Sequence, residues 1–123
     1  MTHETCPFCE IVAGRAPAAL VVHRHYWPDA MAIIPLNPVV EGHALVIPKT
    51  HVRDFAADPE VSAATMRRAA ELMQWSTRPM NLITSRGREA TQSVFHLHLH
   101  LIPRAENDGL ALPWYSGRRK ATS

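Results

Sequence analysis

No stretch of this 123-residue chain approaches the roughly 18 consecutive apolar residues of a membrane-spanning helix. Asp29 and Glu41 interrupt its greasiest part. Charge of one sign is also missing: 13 Lys and Arg stand against 11 Asp and Glu, a net +2. Such a balance excludes an extended basic surface, so nucleic acid is not an expected partner. Part of the small excess sits in Arg118-Arg119-Lys120, which reads as a solvated terminus. Neither a Walker A nor a G-x-G-x-x-G loop is present, so any phosphate must be held by other means. Met1-Thr2-His3-Glu4-Thr5 has no basic n-region or apolar h-region, which leads to the expectation of a cytoplasmic protein. There is no internal repeat, and ten prolines punctuate the chain without gathering into a linker. Cysteine is limited to Cys6 and Cys9.

What is present suits one globular domain. Hydrophobic residues make up 46% and charged residues 20%, and the length allows a single core. We expect a domain over 1–115 and a flexible C-terminal tail over 116–123. A short helix is predicted over 6–14, with Pro7 in its first turn and Gly14 at its stop. Residues 20–25 and 30–34 read as a strand pair turning at Trp27-Pro28-Asp29. Residues 44–47 form a short apolar strand stopped by Pro48. Asp58 caps a helix opened by Pro59 and ending before Pro79, with Met66, Ala69, Ala70 and Met73 as its buried stripe. Met31, Met66 and Met73 read as core filling. Residues 80–84 and 94–102 supply two further strands. About five strands and one main helix in hairpin-like order predict an α+β fold with an antiparallel sheet.

Eight histidines are present, three of them within five residues. In Gln92-Ser93-Val94-Phe95-His96-Leu97-His98-Leu99-His100-Leu101-Ile102, strict alternation sends Leu97, Leu99 and Leu101 to one face and the three histidines to the other. The leucine face requires a covering layer. Solvated strand faces draw on Thr, Lys, Glu and Arg, so a row of imidazoles points to chemistry. Two readings remain open: metal ligation by two or three imidazoles, or a nucleophilic imidazole flanked by phosphate-holding groups. Cys6-x-x-Cys9 likewise reads as a redox pair, half a zinc site or neither. No strand precedes Cys6, as a thioredoxin-type motif would need.

The triad run, preceded by Gly42-His43-Ala44-Leu45-Val46-Ile47-Pro48-Lys49-Thr50-His51 and by Cys6-Pro7-Phe8-Cys9-Glu10-Ile11-Val12-Ala13-Gly14, resembles the histidine-triad (HIT) superfamily of nucleotide hydrolases and transferases. The resemblance implies a HIT-like fold: a five-stranded antiparallel sheet with one main helix and a short N-terminal helix. It further implies a homodimer and a nucleotide or nucleotide-like ligand. By motif, His98 is the nucleophile toward an α-phosphorus, its proton held by the carbonyl of His96. His100 and Gln92 match positions that hold phosphate oxygens, Ser93 lies by the leaving group, and His43 supports the site from a neighbouring strand. Leu36 matches a substrate-binding position, and Trp114 lies where the family's C-terminal segment approaches the partner's site. The N-terminal pair implies a structural Zn2+ held by Cys6, Cys9, His51 and His96, with no metal required for catalysis.

Three departures bear on nucleotide recognition. Pro35 stands where Asp or Asn usually holds ribose hydroxyls. Ser85 replaces a longer Asn or Gln near the phosphate. Ala90-Thr91 replaces small, glycine-containing residues before Gln92. The expected function is a nucleotidyl hydrolase or transferase acting on a nucleoside monophosphate linked to an amine or phosphate. Its rivals are a metal-dependent hydrolase with the triad as ligands and a non-catalytic nucleotide-binding module.

Overall fold

The computed structural model describes residues 6–118; residues 1–5 and most of the expected tail, 119–123, lie outside the described residues. Its elements in chain order are α1 (Pro7–Val12), β1 (Ala19–Leu20), β2 (Ala30–Ile34), β3 (Ala44–Pro48), α2 (Pro59–Gln74), β4 (Met80–Ile83) and β5 (Leu99–Pro103), with a 3-10 turn over Arg88–Ala90. The five strands form one antiparallel sheet in the order β1-β2-β3-β5-β4. Helix α2 carries the chain from β3 to β4, and β5 then fills the place between them.

Both helices start where local chemistry dictates. The Asp58 carboxylate accepts from the backbone N–H groups of Glu60 and Val61, and Pro59 occupies the first helical position. Cys6 caps α1 in the same way through its sulfur, which accepts from Cys9 N–H at 3.3 Å.

Alternation along the central strands divides the core into two layers. Leu45 and Ile47 of β3 join Met31, Ile33, Phe8 and Cys6 on the α1 side. Ala44 and Val46 join Leu97, Leu99, Leu101 and Ala69 on the α2 side. Helix α2 is therefore the layer that the leucine face required. Burying each of these leucines contributes about 1.5–3 kcal/mol.

Three expectations need correction. The strand expected over 20–25 is only Ala19–Leu20, because Arg24 turns back and donates to the carbonyls of Ile11 and Val12 at the end of α1. The buried stripe of α2 is Ser62, Thr65 and Ala69, whereas Met66 is 37% exposed and Ala70 is exposed. Ser62 and Thr65 tolerate burial because their hydroxyls donate to the carbonyls of Phe55 and Val61.

The third correction matters for the site. The strand expected over 94–102 begins only at Leu99. Pro48 ends β3 and has no N–H for a ladder. Leu97 N–H turns instead to Val52 O at 2.8 Å, and the Thr84 hydroxyl donates to His98 O at 2.9 Å. His96 and His98 thus leave the sheet just where it frays. Among the described residues, no helix is long and apolar enough to cross a membrane.

Candidate active site and metal cluster

His98 is oriented by its own backbone neighbourhood. Its Nδ1–H donates to His96 O at 2.8 Å, which leaves the Nε2 lone pair as the outward-facing nucleophile. The ring lies edge-on to Phe8, centroids 5.1 Å apart, and to His100 at 5.2 Å. Burial pushes its pKa below the ordinary value, against the opposing pull of the His96 hydrogen bond. His98 is therefore neutral near pH 7, as a nucleophile must be.

A second chain of hydrogen bonds sets the tautomers behind it. Val39 N–H donates to His43 Nδ1 at 3.1 Å, so the His43 proton sits on Nε2. That atom is 3.0 Å from His100 Nδ1, which must accept, leaving the His100 proton on Nε2 as an outward donor. Burial, then the neighbouring charges of His98 and His43, pushes His100 down to about 4. Burial also lowers His43. A neutral, donor-bearing His100 can hold a phosphoryl oxygen beside the His98 nucleophile.

Cys6, Cys9, His51 and His96 offer four ligand atoms, all within 4.8 Å of one another. Cys9 Sγ is 3.2 Å from His51 Nδ1 and 3.5 Å from His96 Nδ1. Cys6 Sγ is 3.4 Å from His96 Nδ1, and the two Nδ1 atoms are 3.1 Å apart. Zn–S and Zn–N bonds of ordinary length put tetrahedral donors roughly 3.3–3.8 Å apart. This donor set and spacing therefore fit a four-coordinate zinc ion. The His96 Nε2–H donates to Pro48 O at 2.9 Å, which turns the Nδ1 lone pair into the cluster as a metal ligand requires. Burial and the Cys6 hydrogen bond push the Cys9 thiol up to about 11, so ligation would displace a proton.

Other expected residues are placed less centrally. Gln92 is buried, and its amide is already committed: both N–H groups donate, to Arg53 O and Val94 O, and its oxygen accepts from Gly87 N–H. No N–H of that amide is left for a phosphate oxygen. Ser85 is half-buried and Ser93 exposed. Leu36 is 97% exposed, beside Pro35, whose side chain has no acceptor. Trp114 is 79% exposed and, among the described residues, makes no ring contact with the triad. Phe8, which bridges His96 and His98 edge-on, escaped the sequence reading as a site residue. Its only signal was its place on the apolar face of α1.

Comparison with known proteins agrees with this geometry. A HIT domain family model matches residues 15–107. The protein named "Protein hit" of Bacillus subtilis is 34% identical, over 90% of this chain and 79% of that one. Adenosine 5'-monophosphoramidase HNT1 of Saccharomyces cerevisiae is 33% identical, over 89% and 69%. The crystal structure of a Zn-bound histidine triad family protein from Mycobacterium smegmatis superposes with a TM-score of 0.75 at 32% identity, over 98% and 86%. On its matched domain and its relatives, the chain belongs to the HIT family.

Proposed function

We propose that the chain is a nucleotidyl hydrolase or transferase that works through His98. The observation that carries this reading is the His98 Nδ1–H bond to His96 O, which presents a neutral Nε2 lone pair. Nε2 attacks the α-phosphorus of a nucleoside monophosphate joined to an amine or a phosphate, and the bond to that leaving group breaks. Water then hydrolyses the nucleotidyl-imidazole, freeing the nucleotide and restoring the ring. His100 donates its Nε2–H to a phosphoryl oxygen, and His43 keeps His100 in that tautomer. Ser85 and Ser93 flank the leaving-group side, and Leu36 borders the nucleoside. The phosphoramidase activity named for the yeast relative supports the reaction class.

Zinc belongs to the same proposal. Cys6, Cys9, His51 and His96 would hold one ion, whose four donors leave no open position, so it cross-links and does not react. The group that fits a metal contains neither His98 nor His100, which favours the nucleophile reading over a catalytic ion held by the triad. We further propose a cytoplasmic homodimer in which Trp114 of one protomer lies near the other's leaving group.

Rapid quenching with labelled adenosine phosphoramidate tests the mechanism. An acid-labile, base-stable nucleotidyl-protein adduct is expected. His98→Asn should abolish both adduct and turnover while keeping the fold. Turnover within about tenfold of wild type in that variant would sink the reading.

A further inference from the structure

A depression of about 440 Å³ lies beside the nucleophile, lined by Arg53, Asp54, Ala56, Ala57, Arg86 and Gly87. We propose that it receives the leaving group, and that this leaving group is a phosphate or polyphosphate and not an uncharged amine. The inference rests on the reaction proposed above and names its substrate class.

Position comes first. The Thr84 hydroxyl donates to His98 O at 2.9 Å, so the loop that starts at Thr84 runs alongside the nucleophile, and Arg86 lies two residues further on. Gln92 then ties that loop to the other wall. Its buried amide joins Gly87 N–H at 2.8 Å to Arg53 O at 2.8 Å, fixing the two arginine-bearing segments at one separation. The site is built before anything binds.

Charge and donors come second. The Arg53 guanidinium stacks over Phe95, 4.2 Å from the ring centroid. Stacking uses the face of the group and leaves its in-plane N–H donors available. Arg86 is 72% exposed and meets Asp54 only at 3.8 Å, a contact too long for a hydrogen bond and worth little in water. Asp54 is itself engaged, since its Oδ1 accepts from Ala56 N–H at 2.9 Å. With Arg88 on the same loop, three guanidiniums oppose Asp54 and Glu89, a net positive site. Arginine forks match phosphate oxygens in shape as well as in charge. An amine leaving group would gain nothing from them.

The test compares adenosine diphosphate with adenosine phosphoramidate in wild type, Arg53→Ala, Arg86→Ala and Arg86→Lys, with melting temperatures as the check on folding. We expect each alanine variant to lose at least about tenfold in kcat/KM on the diphosphate and less than about threefold on the phosphoramidate. Lysine should restore part of the loss. Inorganic pyrophosphate should compete with phosphoramidate in wild type, more weakly in the alanine variants and more weakly as salt rises. Equal losses on both substrates would make the arginines structural and overturn the proposal. Wild type that turns over phosphoramidate but shows no arginine-dependent pyrophosphate competition would overturn it alone. A folded wild type active on neither substrate would overturn the reaction itself. Calorimetric titration with pyrophosphate then judges the depression separately, and absence of binding sinks it.

Discussion

The carbonyl of His96 holds the His98 ring at 2.8 Å, while the imidazole of the same His96 faces Cys6, Cys9 and His51. One residue thus borders both the metal cluster and the nucleophile, but through different groups. Losing the metal frees the imidazole and leaves the carbonyl in place.

Purified protein should carry about one equivalent of zinc per chain. The Cys6→Ser, Cys9→Ser double variant should lose it and melt at a lower temperature, yet still form the covalent adduct. Elemental analysis, thermal melting and adduct trapping check the three parts. Stoichiometric metal retained by that variant would place the ion elsewhere.

Acid should destabilise the fold before it titrates any carboxylate. His100 lies at about 4 in the folded chain against 6.5 unfolded, with burial lowering His43 and His98 as well. Between those values the unfolded chain binds more protons, so stability is full above about pH 6.5 and falls as pH drops toward about 4. Urea unfolding at neutral pH and at about pH 5 should show the loss. His100→Asn should weaken this pH dependence, and an unchanged slope in that variant would contradict the assignment.

Thr91 ends the 3-10 turn at φ +74°, in the left-handed region that a β-branched residue rarely adopts. It stands where the family resemblance expects small, glycine-containing residues. Thr91→Gly should stabilise the protein by about 1 kcal/mol, the relieved strain exceeding glycine's extra entropy cost. Denaturant midpoints at constant slope measure it, and destabilisation would count against strain there.

Pro35 offers no acceptor to ribose hydroxyls. Matched ribo- and 2'-deoxyribonucleoside phosphoramidates should therefore differ in kcat/KM by no more than about tenfold, the worth of one modest hydrogen bond. Pro35→Asp should raise the preference for ribose. A much larger preference in the unaltered chain would mean that another residue reads the sugar.

Much of this was legible in the residues, for identifiable reasons. Asp58-Pro59 and the apolar run ending at Pro48 marked α2 and β3 because caps and proline act locally. The leucine alternation placed Leu97, Leu99 and Leu101 on one layer because side-chain period follows from the extended backbone. The late start of β5 was not legible, since it depends on Val52 and Thr84, far away in sequence, taking the backbone groups of Leu97 and His98. The α2 stripe was misjudged because Ser62 and Thr65 hide their hydroxyls in backbone bonds. In the site, His98 and the cysteine-histidine cluster followed from motif. The tautomer of His100 did not, because it is decided by the peptide N–H of Val39 two hydrogen bonds away.

Cys6 and His96 approach within 3.4 Å across 90 residues of intervening sequence. During synthesis the first of them leaves the ribosome long before the second is made. The six-residue α1 is too short to persist alone, so the segment carrying Cys6 must wait undocked until β5 is in place. Joining ends so far apart carries a loop-closure cost that grows only slowly with length. The order of events, more than the energy, is what the long separation imposes: the metal cluster and the nucleophile's neighbourhood are completed last, and together.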